Sequence, residues 1–549
     1  MRYGLLLVPL LFLAIFFFYP LGSILAVSLF PNGQPDFSGF ATVATSAYFR
    51  ETLWFTVWQA AVSTVLTVGL ALPGAYVFTH YKFWGKGVLL SVSTLPFVLP
   101  TVVVAAAFTA LLGGDGVINR LLIALFTLET APVRLERSLA LIFVAHVFYN
   151  YAIALRIIAG YWANQPAHIP QAARVLGADT WRLWRDVYLP TLRPAITAAA
   201  LLVYIFTFTS FGVILILGGL RYATLEVEIY RQVTSLFDLP TAAALSLVQI
   251  GVMGLMMVLY TRLQRRGSGA QLQASGTVAH VPYGWRDWLL VVSNLLVMAV
   301  LILAPLAALV VQSVSVGGGL SGRYYVLLAQ TSQRSVLFVP PLVAVRYSLM
   351  FAGLTTILGV GLGVIASYLL AAPRGWLTRI LDPVFMLPLA TSAVTLGFGF
   401  IIALDEPPLN LRTSRWLIPL AHTLVALPFV VRSVLPALRA IPANLREAAA
   451  TLGANDWRVL RLIDLPLISR GVVVGATFAF TVSMGEFGAT LFIARPDTPT
   501  MPVVIYRLLG QPGLANYGQA MAMSVILIGV CGVAFVMIER LRTAGIGEF

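Results

Sequence analysis

The residues in this sequence with chemistry to offer are few, and they fall inside apolar runs. Glu486 is a carboxylate flanked by Gly485 and Gly488 in a stretch that is otherwise hydrophobic, and Ser210 occupies the matching place in the first half of the chain. His146 and His422 likewise sit within apolar runs at equivalent places. An ionisable group in a membrane span is expensive and usually faces the bundle interior or a water-filled path. Glu486 therefore has two readings, as part of an outer gate or solute pathway, or as a structural group near the interface. The histidines have two as well: solute ligands, or hydrogen-bonding struts between helices. Cys531 is the only cysteine, so neither an internal disulfide nor a cysteine metal site is available. Five scattered histidines supply no catalytic or metal cluster, and no Gly-x-x-x-x-Gly-Lys-Ser/Thr phosphate loop occurs. No catalytic residue, metal ligand or bound cofactor is expected of this chain.

These groups must be positioned by a membrane scaffold. Of 549 residues, 59% are hydrophobic and 10% charged, where a soluble domain carries roughly a quarter charged; mean hydropathy is +0.90. The net charge of +14 comes almost entirely from scattered arginines. Without a basic stripe, nucleic acid is not an expected partner, and the lipid bilayer is. The expected fold is an all-α polytopic membrane protein with about 12 transmembrane helices as two parallel six-helix repeats. Spans are predicted near 5–28, 54–79, 88–112, 138–161, 194–219 and 240–261. A second set is predicted near 287–313, 346–371, 381–404, 416–437, 471–494 and 519–538. The domains are residues 1–262, a cytoplasmic linker 263–285, and residues 286–549. Arginine and lysine are enriched on one side, which places both termini in the cytoplasm. On a straight helix Glu486 would stand roughly 24 Å above Arg470, in the outer part of the bilayer.

The halves are copies. Ala145-His146, Arg156, Pro166, Gly177, Trp181, Pro190, Phe211-Gly212 and Ile229-Tyr230-Arg231 each recur 276 positions later. Upstream, Thr64, Tyr76 and Pro96 recur 292 positions later, so the first half carries about 16 extra residues between roughly 108 and 138. Their apolar core, Val117 to Ile123, reads as a short interfacial helix. Such a parallel repeat implies pseudo-twofold symmetry about the membrane normal.

The strongest duplicated feature is a loop between the fourth and fifth spans of each half. It reads Gln171-Ala172-Ala173, three residues, Gly177, nine residues, Val187-Tyr188-Leu189-Pro190. In the second half it reads Glu447-Ala448-Ala449, three residues, Gly453, nine residues, Ile463-Asp464-Leu465-Pro466. Alanines favour helix and leave a surface that another protein can approach closely. Each glycine can end that helix in the left-handed conformation, and Asp179 or Asn455 can cap the next one.

This pattern resembles the signature of the permease subunits of binding-protein-dependent ABC importers, across both halves. The resemblance implies a type I importer permease that forms the solute pathway and leaves ATP hydrolysis to separate subunits. It implies that two ATP-binding cassette subunits dock, one on Gln171, Ala172, Ala173 and Gly177, the other on Glu447, Ala448, Ala449 and Gly453. It further implies an extracytoplasmic solute-binding protein and a place in the bacterial cytoplasmic (inner) membrane. Gln171 departs from the family's Glu. The fused halves resemble the iron(III)- and thiamine-type permeases. Residues 210–219 and 226–230 are similar to the thiamine type, and Met484 to Thr490 to the iron, molybdate and sulfate type. An ion-coupled secondary transporter with a parallel 6+6 repeat is the alternative, and it would need coupling charges near mid-membrane.

Overall fold

A bilayer offers backbone amides and carbonyls no water, so a spanning segment must hydrogen-bond within itself. The sequence meets that demand with helices throughout. A computed structural model describes residues 2–31, 33–135, 137–267, 279–317, 319–330, 337–371, 375–405, 407 and 409–543. Among the described residues eleven helices are long and apolar enough to cross a membrane, or twelve if one bent pair counts as a span. The first half contains α1 (Leu7–Leu29), α2 (Ala47–His80), α3 (Thr101–Leu112), α4 (Leu139–Ala163), the short α5 (His168–Val175), α6 (Leu189–Phe208), α7 (Leu225–Arg231) and α8 (Leu239–Gly267). The second contains α9 (Gly284–Val314), α10 (Val343–Ala371), α11 (Trp376–Ala390), α12 (Ala393–Ala403), α13 (Leu417–Arg439), α14 (Ala443–Thr451), α15 (Leu465–Gly485), α16 (Gly488–Ile493), α17 (Met501–Leu509) and α18 (Leu514–Thr543).

Two expectations about continuity are corrected. The third spans are broken. In the first half Lys86–Ser93, Leu95–Val98 and α3 are separate pieces, divided at Thr94 and again at Leu99 and Pro100. In the second, α11 and α12 bend by 95°. Proline supplies no N–H and clashes with the preceding turn, so Pro96, Pro100 and Pro388 favour these breaks. The fifth spans are broken as well, beyond Phe208 and beyond Gly485. Of the predicted linker 263–285, residues 268–278 lie outside the described set. α8 continues to Gly267, and His280 exchanges backbone hydrogen bonds with His80 O (2.9 Å) and Lys82 N (2.8 Å). The extra segment of the first half does form a helix, Val117–Phe126. It is pinned by buried Asn119, whose amide donates to Gly113 O and Val133 O, both at 2.8 Å.

Each half lends its first span to the other. Phe12, Leu13 and Phe17 of α1 share a core with Phe351, Phe385, Leu396 and Phe400 of the second half, and Pro20 lies close against Gly399. Reciprocally, Ile302, Ala308 and Leu309 of α9 pack into the first half's core with Val104 and Phe108 of α3. Gln312 of α9 donates to Asp115 O at 2.8 Å. Lipid is as apolar as leucine, so such contacts are held by close packing rather than by exclusion of water. Small residues set how close helices come. At Gly363 of α10 an added Cβ would lie 2.5 Å from Val430 Cγ1 of α13, whereas at Gly359 the nearest atom would be 3.7 Å away. Gly363→Ala should therefore lower the thermal midpoint of the detergent-solubilised protein, at a cost of roughly 1–3 kcal/mol. Gly359→Ala should leave it unchanged, and equal midpoints for the two variants would refute this account of the α10–α13 contact.

Candidate functional site

The two breaks in the fifth spans meet between the halves. α6 ends at Phe208, the chain turns through Thr209, Ser210 and Phe211, and helical structure resumes at Gly212. α15 ends at Gly485, the chain turns through Glu486 and Phe487, and α16 follows. Phe211 and Phe487 occupy the same place in the repeat, and their rings stack on one another with centroids 5.7 Å apart and planes at 25°. A residue touching its own counterpart lies on the pseudo-twofold axis, so this pair marks the axis. Tyr230 backs Phe211 at 5.5 Å and Tyr506 backs Phe487 at 5.4 Å, again as equivalents. Gly212 is required here, because a Cβ would fall 2.3 Å from Thr101 Oγ1 and 3.2 Å from Phe487 Cδ1. Both phenylalanines are buried, and together they form an apolar plug across the axis. The sequence carried a signal for this plug, a duplicated Phe-Gly at the same register of both fifth spans, but no pattern told that the two copies would touch.

The histidines and their partners lie around these breaks. In the first half His146 Nε2 bridges to Ser210 Oγ and its Nδ1 to Ser63 Oγ, both at 2.9 Å. In the second, His422 Nδ1 meets Ser483 Oγ at 2.7 Å, while Nε2 meets Thr490 Oγ1 at 2.8 Å and Glu486 Oε2 at 3.3 Å. Each histidine thus links the fourth span to the broken fifth. Glu486 has a local task as well. Its Oε1 accepts from Ala489 N and its Oε2 from Thr490 N, both at 2.9 Å, and Thr490 Oγ1 donates to it too. From the position before the N-cap residue Phe487, the buried Glu486 side chain thus caps the first turn of α16, satisfying amides that would otherwise lack partners. Ser210 offers no equivalent carboxylate, so the two breaks are closed by different chemistry. Replacing Glu486 by Ala should destabilise the protein by roughly 1–3 kcal/mol, read as a lowered midpoint in detergent. A midpoint equal to the parent's would contradict the capping role.

The paired loops have the geometry their residue types imply. In α5, Leu176 N donates to Ala172 O and Ala178 N to Ala173 O, both at 3.0 Å, with Gly177 at φ +84° between them. In α14, Leu452 N donates to Ala448 O (3.1 Å) and Ala454 N to Ala449 O (2.9 Å), with Gly453 at φ +79°. Asp179 Oδ1 accepts from Arg182 N at 2.8 Å and Asn455 Oδ1 from Arg458 N at 2.9 Å, capping the next helix in each half. Gln171, Ala172, Glu447 and Ala448 are exposed, Ala173 and Ala449 partly so. Leu176 and Leu452 are 87% and 88% exposed, and Trp181 and Trp457 are 70% and 64% exposed. Large apolar side chains held this far out, in symmetric pairs, form two matching surfaces.

The seats beneath these helices differ. Under α5 lies an aromatic nest in which Tyr76, His80, Trp162, Trp184 and Tyr188 pack ring on ring, Tyr76 and His80 stacked at 4.3 Å. Under α14 the counterpart of Tyr188 is Asp464, buried and ion-paired to Arg446 Nε at 2.9 Å. Among the described residues no cluster of His, Cys, Asp or Glu could hold a metal ion.

Comparison with known proteins is consistent across the chain. Residues 67–268 and 359–542 both match the family described as binding-protein-dependent transport system inner membrane component. The chain is 27% identical over 525 residues to the thiamine transport system permease protein of Escherichia coli (strain K12), covering 94% of this chain and 93% of that one. It is 27% identical over 524 residues to the protein of that description from Brucella abortus (strain 2308), covering 94% and 91%. A probable ABC transporter permease protein of Sinorhizobium fredii is 26% identical over 508 residues, covering 89% and 87%. Among solved structures, a bacterial ABC transporter involved in the import of the acidic polysaccharide alginate aligns with a TM-score of 0.41 and 17% identity, over 49% of this chain and 95% of that one. With both halves matched, the chain belongs to the family of binding-protein-dependent transport system inner membrane components and is the permease of an ABC importer.

Proposed function

We propose that this permease imports thiamine, and that its two exposed loop helices are where separate ATPase subunits take hold. The observation that carries the coupling assignment is the pair of identically terminated helices, α5 and α14, each ended by a left-handed glycine beside an exposed leucine and tryptophan. Gln171, Ala172, Ala173 and Gly177 meet one ATP-binding cassette subunit; Glu447, Ala448, Ala449 and Gly453 meet the other. The loops and both termini lie in the cytoplasm. Residues 1–262 and 286–549 form the two pathway domains, joined by the linker 263–285, and the chain itself binds no cofactor. Thiamine is favoured over iron(III) because relatives covering nearly the whole chain are thiamine permeases. Nothing in these comparisons supports the ion-coupled alternative.

In this reading the Phe211–Phe487 plug is the closed outer gate, with Ser210, Glu486, His146 and His422 as its supporting frame. ATP binding draws the two docked subunits together, the halves rotate, and the plug parts to receive solute from the extracytoplasmic binding protein. ATP shifts the gate only because it binds one conformation better than the other.

Reconstituted with its ATPase and binding protein, the permease should take up radiolabelled thiamine only when ATP is supplied. Uptake driven by an ion gradient without the ATPase would overturn this reading. The loops can be tested by backbone conformation alone, since a Cβ at Gly177 or Gly453 meets no atom. A Gly177→Val/Gly453→Val double variant should weaken ATPase association by about tenfold or more, while Asn at both positions, which tolerates positive φ, should retain it. Phe211→Ala/Phe487→Ala should raise ATP hydrolysis in the absence of binding protein, because the closed state loses its central contact. Unchanged basal hydrolysis would mean that the plug is not the gate.

A further inference from the structure

Beside the plug lies a carboxylate whose charge neither the fold nor the coupling loops use. Two acids of α7, Glu226 and Glu228, are buried, and their surroundings differ. Glu228 accepts hydrogen bonds from Arg231 Nη2 (3.1 Å), Gln232 Nε2 (2.7 Å) and the Tyr48 hydroxyl (2.7 Å), so its charge is balanced within the first half. Glu226 points the other way and crosses to the second half. Its Oε2 accepts from Ser392 Oγ at 2.7 Å and its Oε1 from Gln249 Nε2. Gln249 in turn accepts from Thr395 of α12 at 3.4 Å. These donors are all neutral, and among the described residues no basic side chain pairs with Glu226.

Its position ties it to the plug. Tyr230 is four residues on, hence on the same face of α7 and about 6 Å along it, and its ring packs against Phe211 and against Phe492 at 5.3 Å. Ala393, next to Ser392, lies against Gly488, the neighbour of Phe487. The arrangement exists once. The repeat puts Pro502 where Glu226 would recur, and Pro100 opposite Ser392. A feature present in one half alone suits a solute without twofold symmetry.

A hydrogen bond between the halves does not need a charge. Glutamine could accept from Ser392 through its one oxygen and donate its amide to a turned Gln249 carboxamide, without the cost of burying a carboxylate among neutral groups. The charge acquires a partner only if a cation enters. We propose that Glu226 recognises a positively charged organic solute as it passes the gate. When the halves part, Glu226 separates from Ser392 and faces the opened passage. There a cationic ring meets the carboxylate, with the Tyr230 face one turn away to receive it. This rests on the thiamine reading above, since thiamine carries a quaternary thiazolium.

The test uses the full complex with ATPase and binding protein in proteoliposomes, radiolabelled thiamine, and the variants Glu226→Gln, Glu226→Asp and Glu226→Asn. Charge recognition predicts that Asp supports uptake about tenfold faster than the isosteric Asn, with Gln as poor as Asn. A latch made of hydrogen bonds alone predicts Gln close to the parent and Asp no better than Asn, and that outcome would overturn the proposal. The Asp/Asn pair decides the matter even if Gln fails to assemble, because both shorten the side chain equally. Failure of the unsubstituted complex to take up thiamine would instead sink the substrate reading, so the two failures are distinguishable.

Discussion

A helix interrupted inside a bilayer must find new partners for the amides and carbonyls it releases, and irregular backbone persists there only where protein surrounds it. Two such interruptions, after Phe208 and after Gly485, organise the rest of this molecule. Histidines on the fourth spans brace them, Ser63 and Ser483 hold the histidines, and Glu486 caps the short helix that follows the second break. With the breaks held, Phe211 and Phe487 meet on the axis. The exchange of first spans between halves then locks the two sets of helices around that contact.

Symmetry and its loss divide the labour. What both halves share is mechanical: the terminated loop helices, the histidine braces, the phenylalanine plug and the tyrosines behind it. What one half alone has lies in the seats beneath the loop helices and in Glu226 beside the plug. The α5 seat is an aromatic nest, which resists deformation through packing. The α14 seat is an ion pair between partly exposed Arg446 and buried Asp464, whose attraction depends on keeping the two in register and whose rupture leaves the Asp464 carboxylate without its cation. The two loops therefore rest on unequal supports, extending the difference already present between Gln171 and Glu447.

Much of this is legible in the sequence. Composition fixed the solvent, and the 276-residue offset fixed the repeat. Gly177 and Gly453 announced their left-handed turns, and Asp179 and Asn455 their caps, because each of these depends on a few neighbouring residues. Breaks in the third and fifth spans are not legible there. Hydropathy averages over a window and reports burial in lipid, which a broken helix satisfies as well as a continuous one when its loose ends are buried in protein. In sequence Glu486 is a costly charge in an apolar run, and its capping of α16 depends on a break that hydropathy does not register.

The sequence by itself determined a twice-repeated helical membrane protein with two matching surface loops, because helix periodicity, apolar length and local turn chemistry are written in consecutive residues. Only the tertiary structure decided that Phe211 touches Phe487, that α1 and α9 change sides, and that Glu226 reaches Ser392 across 166 positions of chain. Such contacts leave no periodic trace. They follow from how helices of given girth settle against one another, and a single glycine such as Gly363 or Gly212 sets that distance.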